Sequence, residues 1–115
     1  MDNIQNIYID LLNNKNNQFI YTKQNDTNRE VVFSFTKNGQ VYDIGEDVVS
    51  ISIRKPDGSI FEDTLTVNNN TAILSLTNEI TDLAGTLPYQ ITFTDSGAGS
   101  VFSSVTSYIL CEDIN

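Results

Sequence analysis

Fifteen acidic side chains and no histidine set the limits of what this chain could catalyse. Without an imidazole, Ser-His-Asp and Cys-His arrangements are impossible, and the commonest general base and zinc ligand are both missing. A carboxylate pair of glycosidase type is the acid–base chemistry that remains, for example Glu46 with Glu62 or Asp63. These acids sit among turn and strand-edge signals, where solvated carboxylates are ordinary, and no tryptophan accompanies them to line a sugar cleft. The expectation is a chain with no catalytic residues, not an enzyme. Cys111 is the only cysteine, so neither an intramolecular disulfide nor a cysteine metal cluster can form. Its plainest role is a small apolar residue ending a strand, in a protein made in a reducing cytoplasm.

Calcium is the metal worth weighing, because Asp26, Asp43, Glu46, Asp47, Asp57 and Asp63 supply hard oxygen ligands. No D-x-[DN]-x-[DN]-G spacing organises them, and Gly97 and Gly99 lack the rest of a phosphate loop, so no metal and no cofactor are expected. Six basic against fifteen acidic side chains give a net charge of −9, which repels phosphate backbones and anionic lipid. Nucleic acid and membrane are therefore not expected partners. Such a charge suits solubility or a basic partner surface. No run approaches the ~20 apolar residues of a membrane span. Met1-Asp2-Asn3-Ile4 also lacks the basic and apolar regions of a signal peptide.

The stretch Lys23-Gln24-Asn25-Asp26-Thr27-Asn28-Arg29 is the richest local signal. Asp26 and Thr27 can bond backbone N–H groups a residue or two on, and Arg29 can pair with Asp26 or Glu30. It either holds one sheet to another or offers Lys23, Gln24, Asp26 and Arg29 to a partner.

Alternation dominates the chain, as in strands, and helical periodicity is scarce. Ile7, Ile9 and Leu11 share a face before the Asn13–Asn17 break, and Phe19 to Thr22 form a second short strand. Val31, Phe33 and Phe35 make an inward row closed by Asn38-Gly39, a tight-turn pair that tolerates positive φ. Val49, Ile51 and Ile53 follow, bounded by Lys55-Pro56-Asp57-Gly58. A less regular strand carries Phe61, Leu65 and Val67, and Asn68-Asn69-Asn70 turns the chain into Ala72, Leu74 and Leu76. Residues 77–85 have helical character, with Thr77 or Asn78 as cap, Ile80 and Leu83 on one face and Gly85 as terminator. Leu87, Tyr89, Ile91 and Phe93 belong to a central strand, against which Pro88 argues slightly. Asp95 to Gly99 is a loose loop, and Val101 to Leu110 the last strand.

This predicts one all-β domain over residues 1–115: an immunoglobulin-like antiparallel β-sandwich of seven to eight strands with one short helical crossover. Leu83-Ala84-Gly85 followed by Tyr89 resembles the tyrosine corner of such folds. Phe33, Phe35, Phe61, Tyr89 and Phe93 would fill the volume that a core tryptophan and disulfide otherwise take. At 115 residues the chain can bury about 65% of its unfolded surface, enough for its own core.

In order and spacing, Lys23 to Arg29, Lys37-Asn38-Gly39-Gln40, Arg54 to Gly58, and Leu83-Ala84-Gly85 with Tyr89 resemble the N-terminal domain of phage baseplate upper proteins. The likeness runs from about Tyr8 to Leu110, and Lys-Gln-x-Asp-Thr-x-Arg is its most specific part. The resemblance implies a structural module of a phage or prophage virion that docks on distal-tail or hub subunits. It also implies a C-terminal stalk carrying receptor-binding proteins, for which no heptad sequence is present before Asn115. A homo-oligomer is compatible with it. Two other functions are open on the residues alone. Tyr8, Tyr21, Tyr42 and Tyr108 could make an aromatic platform of a carbohydrate- or host-surface-binding adhesin module, and the charge could make an acidic imitator of nucleic acid.

Overall fold

The computed structural model describes residues 3–114; Met1, Asp2 and Asn115, named above, lie outside them. The elements in chain order are β1 (Ile4–Asp10), β2 (Ile20–Lys23), β3 (Arg29–Lys37), β4 (Gln40–Val41), β5 (Val48–Arg54), β6 (Ile60–Thr64), β7 (Thr66–Asn68), β8 (Thr71–Leu76), α1 (Asn78–Thr81), β9 (Gly85–Thr94), β10 (Val101–Ser103) and β11 (Ser107–Glu112). One sheet has the order β1-β3-β8-β7 with β4 beside β3, and the other β2-β11-β9-β5-β6 with β10 beside β9. The all-β sandwich with one short helix is therefore the fold, as the alternation implied.

It departs from seven or eight antiparallel strands in two respects. Eleven strands are present among the described residues, and two pairings are parallel: β1 with β3, from Ile4 opposite Glu30 to Asp10 opposite Thr36, and β2 with β11. The cause is the Asn-rich link after β1. Instead of folding β2 back as a hairpin, it carries the chain into the other sheet, so each strand lies beside one arriving from the same end.

Every alternating row named above faces inward. Ile7, Ile9 and Leu11; Val31, Phe33 and Phe35; Val49, Ile51 and Ile53; Ala72, Leu74 and Leu76; and Leu87, Tyr89, Ile91 and Phe93 are all buried. Each large side chain removed from water contributes about 1.5–3 kcal/mol before the entropy of ordering is subtracted. Phe33 lies 5.8 Å from Tyr89 and Phe35 5.0 Å from Phe93, centroid to centroid. Phe61 is only half-buried, and it packs on the core together with Tyr42 and Phe102.

Both two-residue hairpins are asparagine turns. Asn38 and Gly39 have φ of 53° and 82°, and Asn69 and Asn70 have 50° and 61°, the left-handed pair that matches strand twist. The strand expected over Phe61 to Val67 divides because the chain changes sheet at buried Leu65, whose N–H donates to the Val49 carbonyl at 2.8 Å. The expected last strand also divides. Three residues, Ser104 to Thr106, face two on β9, and the Ser104 hydroxyl accepts the Ile91 N–H at 3.0 Å, so the strand bulges there. Pro88 is tolerated in central β9 because the β5 ladder begins one residue later, at Tyr89. The helix is shorter than residues 77–85: Thr77 occupies the N-cap without a side-chain bond, and Gly85 opens β9 rather than ending α1. No tyrosine corner forms, since the buried Tyr89 hydroxyl bonds no backbone group.

Candidate functional site

Strand directions bring the β2–β3 loop, the β5–β6 loop and α1 to one end of the sandwich, together with both described chain ends. Asn3 accepts the Glu30 N–H through its carbonyl, and Glu112 accepts the Gln24 N–H. Three turn signals that were separate in sequence, Lys23 to Arg29, Arg54 to Gly58 and Leu83 to Gly85, therefore meet around α1.

Asp26 organises the first of them. Its Oδ2 accepts Arg29 Nε at 2.6 Å and the Lys23 N–H at 3.2 Å. The Arg29 hydrogen bond, more than any other influence, holds this carboxyl below the usual range. The loop is then tied to α1 by backbone and side chain together. Asn25 N–H donates to the Thr81 carbonyl at 2.8 Å, and the Thr81 hydroxyl donates to the Asp26 carbonyl at 2.7 Å. Gln24 Nε2 reaches the Asp82 carbonyl at 3.1 Å, and Asn78 Nδ2 the Asn25 side-chain oxygen at 3.0 Å.

The second loop arrives from the other side. Lys55, whose side chain is 9% exposed, places its ammonium on the Asp82 carboxylate and donates to the Glu79 carbonyl at 2.6 Å. Pro56 Cγ approaches so closely that a Cβ on Gly85 would lie 3.1 Å away. A short helix cannot support itself, so these contacts supply what its length does not.

Of the four predicted partner residues, Gln24 and Asp26 are thus engaged inside the molecule, and Arg29 is half-buried against Asp26. Lys23 is exposed, 3.7 Å from Glu112. Lys23 and Arg29 flank a shallow groove of about 430 Å³ that Tyr21, Thr86, Leu110 and Glu112 also line. Its charges are matched in pairs. Cys111 lies at its floor, and burial, with Asp26 and Asp82 nearby, pushes the thiol up and away from reactivity. Thr81 and Asp82 were not singled out in the sequence, and Asn25 and Lys55 were read there only as parts of turn signals. The partner that makes Lys55 a staple is 27 residues away.

The other candidates are dispersed. Glu62 and Asp63 are successive residues of β6 and so point to opposite faces, while Glu46 lies in a loop at the far end. Among the described residues no three acidic, cysteine or histidine side chains gather as metal ligands. Asp43 and Asp57 instead accept N–H groups two residues on, from Gly45 and Ser59. The four tyrosines form no common platform. Tyr21 and Tyr108 are on the outer face of one sheet, Tyr8 is on the other sheet, and Tyr42 packs 4.9 Å from Phe93. Among the described residues no helix is long and apolar enough to cross a membrane.

No family model matches the chain, and no curated protein matches it. In fold it is similar to the N-terminal domain of phage TP901-1 ORF48, with a TM-score of 0.78 and 16% identity over 95% of this chain and 98% of that one.

Proposed function

We propose that the chain is a non-enzymatic structural module of a phage or prophage tail baseplate, docking receptor-binding components to the tail hub. The observation that carries this reading is the fold likeness to a phage protein domain over nearly the full length of both chains. The sequence resemblance to baseplate upper proteins supports it, and three of the stretches behind that resemblance, Lys23 to Arg29, Arg54 to Gly58 and Leu83 to Gly85, meet around α1. The chain is thus a framework that presents surfaces, with Gln24, Asp26 and Arg29 in the framework and Lys23 exposed to a partner. Its partners are distal-tail or hub subunits, with receptor-binding proteins attached through a C-terminal continuation. It works without cofactor, metal or catalytic residue. The protein is made in the bacterial cytoplasm and resides in the virion.

Electron microscopy of particles labelled with antibody against this domain tests the assignment. Label is expected at the tail tip; particles that carry none, or carry it on the head, contradict it.

A further inference from the structure

The outer face of the β2-β11-β9-β5-β6 sheet is split into two chemistries. Near the α1 end it is aromatic and basic, with Phe19 against Tyr108 at 5.9 Å and Tyr21 opposite Leu110, beside Lys23. At the far end Val101, Thr94 and Val48 stand in line across β10, β9 and β5. Behind them Ser103, Thr92, Ser50 and Thr64 form a second row. Val101 is 64% exposed and Val48 47% exposed.

A sheet face meant only for water usually carries long charged side chains. In these two rows the outward positions are short or β-branched, so a second surface can approach closely while little rotamer freedom is lost. A shallow groove of about 390 Å³ runs over Ser50, Ser52, Thr64 and Thr92. Its surroundings are acidic: Glu62 on the same face of β6, and Glu46, Asp47 and Asp95 in the loops at that end. Lys37 lies at the β3–β10 seam with its ammonium 4.6 Å from the Phe102 ring centroid.

The charge selects the occupant. Two copies meeting through this end of the face would set acids against acids: Lys23, Arg29 and Lys55 already have carboxylate partners, and Arg54, exposed on the same face, stands at its opposite, α1 end. Nucleic acid and anionic lipid are repelled for the same reason. We propose that the face centred on Val48, Thr94 and Val101 receives a lysine- or arginine-bearing segment of a partner protein. This deepens the docking reading and rests on it for the partner's identity. Small apolar and hydroxyl groups form the contact, and the acids around them steer and orient the incoming cations.

A short peptide alternating lysine with valine is the probe, followed by amide chemical shifts of the whole domain. Shifts are expected at Ser50, Ser52, Thr92 and Thr94, with affinity falling about tenfold between about 50 and about 300 mM salt. The double variant Glu46→Lys/Glu62→Lys, both exposed residues, should weaken binding by at least about tenfold. Glu30→Lys, an exposed position on the other sheet, should change it by less than about twofold, although the charge change per residue is the same. Shifts centred elsewhere, no binding at millimolar peptide, or an equal loss with Glu30→Lys would overturn the proposal. Peptide binding here without binding to tail proteins supports the face and removes the baseplate reading. Tail-protein binding untouched by the double variant removes the face and leaves that reading standing.

Discussion

At Asp10 five donors converge on one carboxylate. Leu12, Asn13 and Asn38 N–H groups reach Oδ1 at 3.0, 3.2 and 3.4 Å, and the Thr36 hydroxyl and Gly39 N–H reach Oδ2 at 2.9 Å each. The end of β1 is thereby fixed to the Asn38-Gly39 turn. The Gly39 bond is the largest cause of a pKa lowered to about 2. Because the folded value lies below the unfolded one of about 3.9, the stabilisation is complete above about pH 5 and is lost as pH falls through the folded value. Asp10→Asn should cost about 1–2 kcal/mol at neutral pH and flatten the acid-unfolding profile in that window, read by circular dichroism. An unchanged profile would show that the carboxylate is not the anchor. Tyr89 is the opposite case. Burial pushes its phenol far above the ordinary range, and with no well-formed hydrogen bond to its hydroxyl the nearby Ser107 side chain offsets only part of that cost. Tyr89→Phe should therefore leave stability unchanged or raise it by about 1 kcal/mol in a urea titration, and a loss above that size would reveal a hidden hydrogen bond.

Elements in this fold are joined by side chains as much as by ladders. Gln5 receives the Tyr21 N–H at 3.0 Å and donates to its carbonyl at 2.7 Å, closing β1 to β2 between the two sheets. Asn17 does the same for Asp10, at 2.7 and 3.1 Å, and Asn70 bridges Ile44 N–H and the Tyr42 carbonyl. These amides occupy edge groups that would otherwise invite strand pairing. The link from α1 to β9 depends instead on Gly85, whose φ of +146° and closeness to Pro56 leave no room for a side chain. Gly85→Ala should destabilise the domain by about 1–3 kcal/mol in thermal or chemical unfolding; a change within about 0.5 kcal/mol would mean that α1 is not locked there. The strands themselves were legible in the sequence, because rows such as Val31, Phe33 and Phe35 repeat with a period of two. The parallel partners of β1 and β2 were not, since alternation records which face is buried but not which strand lies beside it. The bulge at Ser104 was hidden within a run of strand-forming residues. The candidate site was half legible. Lys23 to Arg29 announced a structured loop, yet its anchors Thr81 and Asp82 lie more than fifty residues on.

At the scale of the molecule, the two ends of the sandwich differ. One holds α1, the β2–β3 and β5–β6 loops and both described chain ends; the other carries the asparagine hairpin over Asn38-Gly39 and the acidic loops around Asp47 and Asp95. A rigid block with distinct ends suits a part that is fixed to one component and presents a surface to another. The absence of histidine, visible from the first, removes the most common route to catalysis but does not by itself assign a role. The proposed docking role is tested most directly by mixing the domain with the distal-tail and hub proteins proposed as its partners and measuring mass by light scattering across a gel-filtration column. The account predicts a single co-eluting peak whose mass is a whole-number complex; separate elution of every component at tens of micromolar would contradict it.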